Sequence, residues 1–178
     1  MSLLPAATGG EWQAPSLRRR FACLLYESLL LFGVGLVSGA IGTLLLKITG
    51  LASATSRDVL LQGVGIAVYG LYFVWFWTRR GQTLPMQTWR IQLVTSRGER
   101  LGIGRALLRY AACALWIAPA AVLAKVNHWP PSTTMAAVAI GIAAYGLLAL
   151  LHPQRQFWHD ALCGTRLVTV DAGKPAVA

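Results

Sequence analysis

The chain has 178 residues, of which 56% are hydrophobic and 12% are charged. Soluble domains carry about a quarter charged residues, so this composition excludes an ordinary soluble domain and indicates an integral membrane protein. Lys and Arg outnumber Asp and Glu by 16 to 6, which gives a net charge of +10. In a soluble protein this excess would suggest nucleic-acid binding. Here the charges fall between apolar segments, where they set topology and contact anionic lipids, so no nucleic-acid partner is expected.

Four apolar segments follow a small, polar N-terminal tail, which we expect to be flexible over residues 1–17. The segments cover about 21–46, 59–78, 104–124 and 135–151. A transmembrane helix needs about 20 predominantly apolar residues. The sequence therefore predicts an all-α membrane protein with one domain of four transmembrane helices over 18–170 and a C-terminal tail over 171–178. The first segment is long and is expected to tilt, whereas the fourth is short for a span.

Basic residues are distributed unevenly around these segments. Only Lys47, Arg57 and Lys125 fall between the first and second or the third and fourth segments. The remaining thirteen are Arg18, Arg19, Arg20, Arg79, Arg80, Arg90, Arg97, Arg100, Arg105, Arg109, Arg155, Arg166 and Lys174. Because cytoplasmic loops are enriched in Lys and Arg, we expect both termini and the 79–104 loop to be cytoplasmic.

Two runs of β-prone residues lie outside the apolar segments. The first covers residues 91–95 and precedes a turn signal at 96–98, and the second covers residues 165–170. Both runs are expected on the cytoplasmic face. We therefore predict that they pair as a small β-ribbon beneath the helices.

A carboxylate, Glu27, interrupts the first apolar segment seven residues after Arg20. Seven residues are two helical turns, so both side chains lie on one face, about 10.5 Å apart along the axis. An acidic group at a helix centre in the bilayer costs about 2.5–3.5 kcal/mol, so Glu27 needs a proton, a partner or water. Arg109 should lie at a similar depth in the third segment, and we predict that the two residues pair. Two alternatives stay open: Glu27 is a protonated or hydrogen-bonded packing residue, and Arg109 reaches lipid phosphates together with Arg105.

The segment after the fourth apolar run is rich in polar side chains. It contains His152, Arg155, His159 and Asp160. Two histidines seven residues apart are a weak metal signal without further ligands, so no metal site is predicted. Asp160 is expected to pair with an arginine such as Arg20 or to cap a short helix that Gly164 ends. The sequence has no cofactor-binding loop or nucleophile–base pair, so neither a cofactor nor an enzymatic activity is expected.

Several separated motifs occur in order along the chain. They are Arg20-Phe21-Ala22 with Glu27, Gly81-Gln82-Thr83-Leu84, Arg109, and His159-Asp160 with Gly164-Thr165. Together, from about residue 18 to 170, they resemble the RDD family of bacterial membrane proteins. The resemblance places Arg20, Glu27 and Asp160 at the positions of the arginine and the two aspartates that give the family its name. With Arg109 these residues form the expected functional polar set, and Gln82, Thr83 and His159 are accessory candidates.

Three positions depart from the family pattern. Glu27 replaces an aspartate and is longer by one methylene. Pro85 stands where the Gly-Gln-Thr motif usually continues with Gly, and Arg97-Gly98 stands where the family's turn is often Asp-Gly. These differences bear on ligand binding by the loop motif more than on the fold.

The resemblance implies a bacterial membrane protein. With the predicted spans and the basic residues, we expect a multi-pass protein of the cytoplasmic membrane with both termini inside. For the family, transport of unidentified ligands is commonly supposed, and cation/proton exchange has been proposed for some members. One hypothesis is therefore an oligomeric transporter of an ion or small solute that uses Glu27 as its coupling group. The alternative is a non-catalytic membrane scaffold, or a module that binds anionic lipids, in which the Arg/Glu/Asp set is a structural polar lock.

Overall fold

A computed structural model describes residues 13–51, 53–148 and 158–170. Within these ranges, the helices and strands in chain order are α1 (Leu17–Thr49), α2 (Ala54–Arg79), α3 (Leu84–Thr88), β1 (Ile91–Thr95), α4 (Ile103–Val126), α5 (Pro131–Leu148), α6 (Trp158–Leu162) and β2 (Thr165–Thr169). The predicted C-terminal tail and residues 1–12 of the predicted N-terminal tail lie outside the described residues.

Two helices, α1 and the stretch that begins with α2, are long and apolar enough to cross a membrane. Ser16 caps the start of α1 by accepting a hydrogen bond from the Arg19 backbone N–H, and Gly50 ends the helix at a φ of 63°. Within the most apolar 18 residues of each helix, only 11% is buried for α1 and only 6% for the stretch that begins with α2. Large apolar side chains such as Leu25 and Leu29 therefore point outward, about 70% exposed, as expected where the surroundings are lipid.

The four predicted apolar segments correspond to α1, α2, α4 and α5. Each helix begins a few residues earlier than predicted, or one residue earlier for α4. The last three residues of the fourth segment lie outside the described part of the chain. The mostly helical fold is confirmed, whereas four membrane crossings with both termini on one side stay a prediction.

Small residues bring α1 and α2 close together. A Cβ atom added to Gly35 would lie 2.6 Å from the Tyr69 hydroxyl, and one added to Gly42 would lie 2.6 Å from a Leu61 methyl carbon. Gly39 has open space around it. The contacts of Gly35 and Gly42 are thus within the chain, in line with the role of small residues in helix packing in membranes.

The predicted ribbon is confirmed. Strands β1 and β2 pair antiparallel, with Ile91 opposite Thr169 and Thr95 opposite Thr165. Residues 13–16 precede α1 and also contact the ribbon, since the Gln13 carbonyl accepts a hydrogen bond from the Thr169 N–H at 2.9 Å. The backbone just before α1 is therefore attached to β2.

The hydrophobic core lies around the ribbon. The long helices α1, α2 and α4 alternate in direction, so α1 and α4 begin, and α2 ends, beside the ribbon. We call this the ribbon end. The opposite end, which includes residues 50, 51, 53 and 127–130, we call the hairpin end. The buried core residues are Cys23, Trp77, Met86, Ile91, Leu93, Leu101, Ala106 and Leu167. A small domain packed like a soluble protein thus closes one end of a bundle whose outer surface is apolar.

Candidate functional site

The predicted polar residues lie at the ribbon end, where they form two clusters. The first, which we call the Arg109 cluster, contains Arg109, Asp160, His159, Thr165 and Trp77. The second, the Glu27 cluster, contains Glu27, Tyr72 and Thr83. Each cluster connects elements that are distant in sequence.

The Arg109 cluster is organised by a buried ion pair. Arg109 Nε donates to Asp160 Oδ1 at 2.8 Å, and the Asp160 side chain is completely buried. Thr165 donates its hydroxyl to the same carboxylate oxygen at 3.1 Å. The Arg109 guanidinium also lies over the Trp77 ring, 4.3 Å from its centre, which adds a cation–π contact. The cluster ties together α2, α4, α6 and β2.

The predicted pairing of Glu27 with Arg109 is wrong. Arg109 forms its ion pair with Asp160, because α6 and β2 turn back onto the start of α4 and bring this aspartate to it. Helical spacing predicts a depth for Arg109 similar to that of Glu27, but depth alone does not select a partner. The alternative in which Arg109 reaches lipid phosphate is excluded for the same reason, whereas Arg105 is exposed.

Glu27 is held by two hydroxyl groups. Tyr72 donates to Glu27 Oε1 at 2.8 Å, and Thr83 donates to Oε2 at 2.5 Å. Glu27 is 7% exposed and Thr83 is fully buried. Among the described residues, no cation lies within ion-pair distance of Glu27. The alternative of a hydrogen-bonded packing residue thus describes its contacts better than an arginine partner does.

The Gly-Gln-Thr loop connects Glu27 to the ribbon. Gly81 has a φ of 65°, and a Cβ atom there would lie 2.7 Å from the Leu93 carbonyl oxygen, so only glycine fits without strain. The Gly81 carbonyl accepts from the Leu93 N–H at 2.8 Å, and Gln82 Nε2 donates to the Ile91 carbonyl at 2.8 Å. Thr83 caps α3 as well as binding Glu27. All three motif residues therefore have structural roles.

Arg20 lies beside the Arg109 cluster. It is 5% exposed, and its Nε donates to the Pro15 carbonyl at 2.9 Å. It is close enough to Asp160 for the two charges to interact, but the direct ion pair of Asp160 is with Arg109. Asp160 stands in the first turn of α6, and Gly164 follows that helix at a φ of 62°, as predicted for the short helix.

Burial and charge shift the titration of the two residues from α6. Burial alone would raise the pKa of Asp160, but Arg109 and His159 hold it below its ordinary value. Burial lowers the pKa of His159 to about 4; the Asp160 carboxylate opposes this shift, and the Arg109 charge adds to it. His159 is thus neutral near pH 7, and its Nε2 lies 3.5 Å from Arg109 Nη2.

Sequence reasoning missed three members of these clusters, namely Tyr72, Trp77 and Thr165. Tyr72 and Trp77 belong to an aromatic run that reads as a membrane-interface belt, which concealed their specific contacts. Thr165 stands in the second β-run and in the Gly164-Thr165 motif, but it was not included in the expected polar set. No group of three His, Cys, Asp or Glu side chains in the described ranges could hold a metal ion; His152 and Arg155 lie outside these ranges.

The fold and its two clusters define a helical protein of membrane type, with a small sheet closing one end of long apolar helices. Residues 14–164 match the RDD family. The chain therefore belongs to the RDD family, and the resemblance seen in its motifs is confirmed. No curated protein and no solved structure matches the chain.

A double-mutant cycle should reveal the Arg109–Asp160 ion pair. Arg109→Gln and Asp160→Asn should each destabilise the protein by about 3–5 kcal/mol, because each leaves one buried charge without its partner. The double variant should lose less than the sum, with a coupling of about 1–3 kcal/mol. Unfolding of purified protein in detergent measures the effect.

The pairing that the sequence suggested provides the matched control. Glu27→Gln combined with Arg109→Gln should give additive losses, because these residues belong to different clusters. Additive losses for Arg109 with Asp160 would contradict the ion pair.

The stability of the protein should fall as the pH decreases from 6.5 towards 4. In the unfolded chain His159 takes up a proton near its ordinary pKa of 6.5, but in the folded chain it does so only near 4. The unfolded state therefore binds more protons in this window, which lowers the free energy of unfolding by up to about 3 kcal/mol. Asp160 contributes only at lower pH, since its pKa lies below 3.8.

Melting temperatures measured across this pH range test the assignment. His159→Gln should flatten the profile between pH 6.5 and 4, because glutamine does not titrate and still offers an acceptor to Arg109. His128→Gln, at an exposed position at the hairpin end, should leave the profile of the parent protein unchanged. Equal profiles for the parent and His159→Gln would contradict the assignment.

Proposed function

We propose that the protein is a non-catalytic, multi-pass membrane module in which the Arg/Glu/Asp set is a structural polar lock. The observation that carries this proposal is the complete burial of Asp160 in its ion pair with Arg109. A carboxylate that receives Arg109 and Thr165 inside the chain is not available to a passing solute. The lock holds the ribbon to the helices and so presents one fixed surface for the assembly of another membrane protein.

The lock has a second part in the Glu27 cluster. Glu27 fastens the Gly-Gln-Thr loop to α1, and Gln82 fastens the same loop to β1. Contacts from four helices and both strands thus converge on the ribbon end. This convergence supports a scaffold more than a moving gate, which would need a polar element free to change partners.

The bilayer is the first partner of such a module. Exposed arginines at the ribbon end are Arg18, Arg79, Arg80, Arg90, Arg97, Arg100 and Arg105. This charge favours the cytoplasmic side of a bacterial inner membrane, where anionic lipids attract basic residues. Both termini would then be cytoplasmic.

Transport of an ion or small solute is the second candidate, and one observation favours it. Glu27 has two hydroxyl donors and, among the described residues, no cationic partner, so it can change protonation without breaking an ion pair. The two grooves found on the described part of the chain have mainly apolar linings. A transporter would therefore need two or more copies to form a polar path, which makes a homo-oligomer part of this candidate.

Glu27→Gln distinguishes the two functions. The glutamine can accept from one hydroxyl and donate to the other, so the lock should survive with a melting temperature within a few degrees of the parent. Glutamine cannot carry a proton, so any proton-coupled flux would disappear. We expect liposomes that contain the parent protein to show no proton or monovalent-cation flux above empty liposomes, and Glu27→Leu to be clearly destabilised.

The matched control is Glu99→Gln, which changes an exposed carboxylate in the turn after β1. Flux that the parent and Glu99→Gln share but Glu27→Gln lacks would overturn the scaffold proposal in favour of transport. Equal stability of the parent and Glu27→Leu would remove Glu27 from the lock.

Cysteine labelling tests the orientation. In a chain whose Cys23, Cys113 and Cys163 are replaced by Ala, a single cysteine is introduced at exposed Ser96 (ribbon end) or Asn127 (hairpin end). In intact cells with a permeabilised outer membrane, an impermeant maleimide should label Asn127→Cys at once. Ser96→Cys should be labelled only after the inner membrane is opened, and the reverse result would invert the topology.

A further inference from the structure

A groove on the outer surface of α1 faces α3 near the ribbon end. We call it the α1–α3 groove; its lining residues are Ala22, Leu25, Tyr26, Ser28, Leu29, Phe32, Thr88 and Trp89. It has a volume of about 640 Å³, and almost all of its lining surface is apolar. The groove belongs to neither polar cluster, and the lock does not account for it.

The groove continues into positive charge. Ala22, Leu25, Leu29 and Phe32 are spaced by three and four residues, so they form one stripe along α1. Arg18 stands four residues before Ala22 and extends this stripe by one turn at the ribbon end. It is exposed and has no ion pair among the described residues. The groove thus runs from an apolar part to a cationic end.

A hydrogen-bond donor without an acceptor stands in the groove wall. Trp89 Nε1 is buried and has no acceptor in the described part of the chain, and the same holds for Nε2 of nearby Gln87. Arg90 follows Trp89 directly and is exposed. Because buried donors are nearly always satisfied, the Trp89 Nε1–H group is open to an acceptor that the described part of the chain does not supply.

We propose that the α1–α3 groove binds one anionic phospholipid. One acyl chain lies along the stripe from Ala22 to Phe32, and an ester or phosphate oxygen accepts the Trp89 Nε1 hydrogen bond. Arg18 and Arg90 neutralise the phosphate charge. This proposal deepens the bilayer contact proposed above, on which it rests, by giving that contact one defined lipid site.

A second copy of the chain fits the groove less well. Its apolar helices would fill the stripe but would bring few anions, since the chain has only six acidic residues, and Glu27 and Asp160 are buried. A phospholipid supplies the apolar chain, the acceptor oxygens and the negative charge in one molecule.

Native mass spectrometry of the full-length protein in detergent tests the site. Phosphatidylglycerol is compared with phosphatidylcholine of the same acyl chains. We expect one tightly retained phosphatidylglycerol per chain, with phosphatidylcholine bound several-fold more weakly. Trp89→Phe, which keeps the ring but removes the donor, should weaken phosphatidylglycerol binding about threefold to tenfold. Arg18→Gln should reduce the preference for the anionic lipid, and Ala22→Phe should block the groove.

Two matched controls lie on α2. Trp75 is an exposed tryptophan with Arg79 stacked 4.2 Å from its ring centre, outside the groove. Trp75→Phe and Arg79→Gln should leave the retained lipid unchanged. Equal losses from the control and groove variants would reduce the effect to general attraction by the basic end and overturn the site.

The remaining outcomes are also decisive. Binding of glycerol 3-phosphate as strong as that of the intact lipid would exclude a role for the apolar groove. A lipid-free dimer that Ala22→Phe dissociates would assign the groove to a second copy instead. If the groove variants keep the melting temperature of the parent, the lock is intact in them. A loss of lipid binding in these variants then speaks against the lipid site alone. The scaffold proposal is tested separately, by the Glu27 variants.

Discussion

The arrangement at the ribbon end depends on the buried ion pair between Arg109 and Asp160. Removing both charges from water is costly, and the pair is tolerated because Thr165 and the Trp77 ring supply further contacts. The pair joins α4 to the short segment that carries β2. Since β2 supplies the ribbon partner of β1, the ion pair also determines where the hydrophobic core closes. Helices surrounded by lipid gain little from apolar contact with each other, so specific polar and small-residue contacts determine how they pack.

The sequence allowed much of the fold to be predicted, because its signals are local. The length of the apolar segments located the four long helices. The β-propensity of two runs, with a turn signal at Gly98 after the first, located the two strands that pair as the ribbon. Glu27 and Arg109 were also predictable as members of the polar set, since ionisable residues in apolar segments are rare. Arg20 and Asp160 lie outside those segments, and it was the family resemblance that placed them in the set. The partners within the set were not. Spacing along a helix gives depth and face, but the Arg109–Asp160 contact depends on how a distant segment folds back, which no local pattern encodes.

The departures from the family pattern have physical explanations in this chain. Pro85 lies in the first turn of α3, two residues after the Thr83 cap, where a missing backbone N–H removes no helical hydrogen bond. Gly98 keeps the left-handed turn at a φ of 83° even though Arg97 precedes it. Glu27, one methylene longer than aspartate, reaches both the Tyr72 hydroxyl of α2 and the Thr83 hydroxyl of the loop. The departing residues are therefore accommodated by the same local structures.

The two clusters differ in what a proton does to them. Protonating Asp160 breaks an ion pair inside the core, so the Arg109 cluster is suited to a fixed role. Protonating Glu27 reverses only one of its two hydrogen bonds, because the neutral carboxyl can donate to one hydroxyl while it still accepts from the other. The Glu27 cluster is therefore the place at which a transporter and a scaffold of this fold would differ. A glutamine at position 27 reproduces the neutral, hydrogen-bonded state permanently, which retains a lock and abolishes a proton carrier.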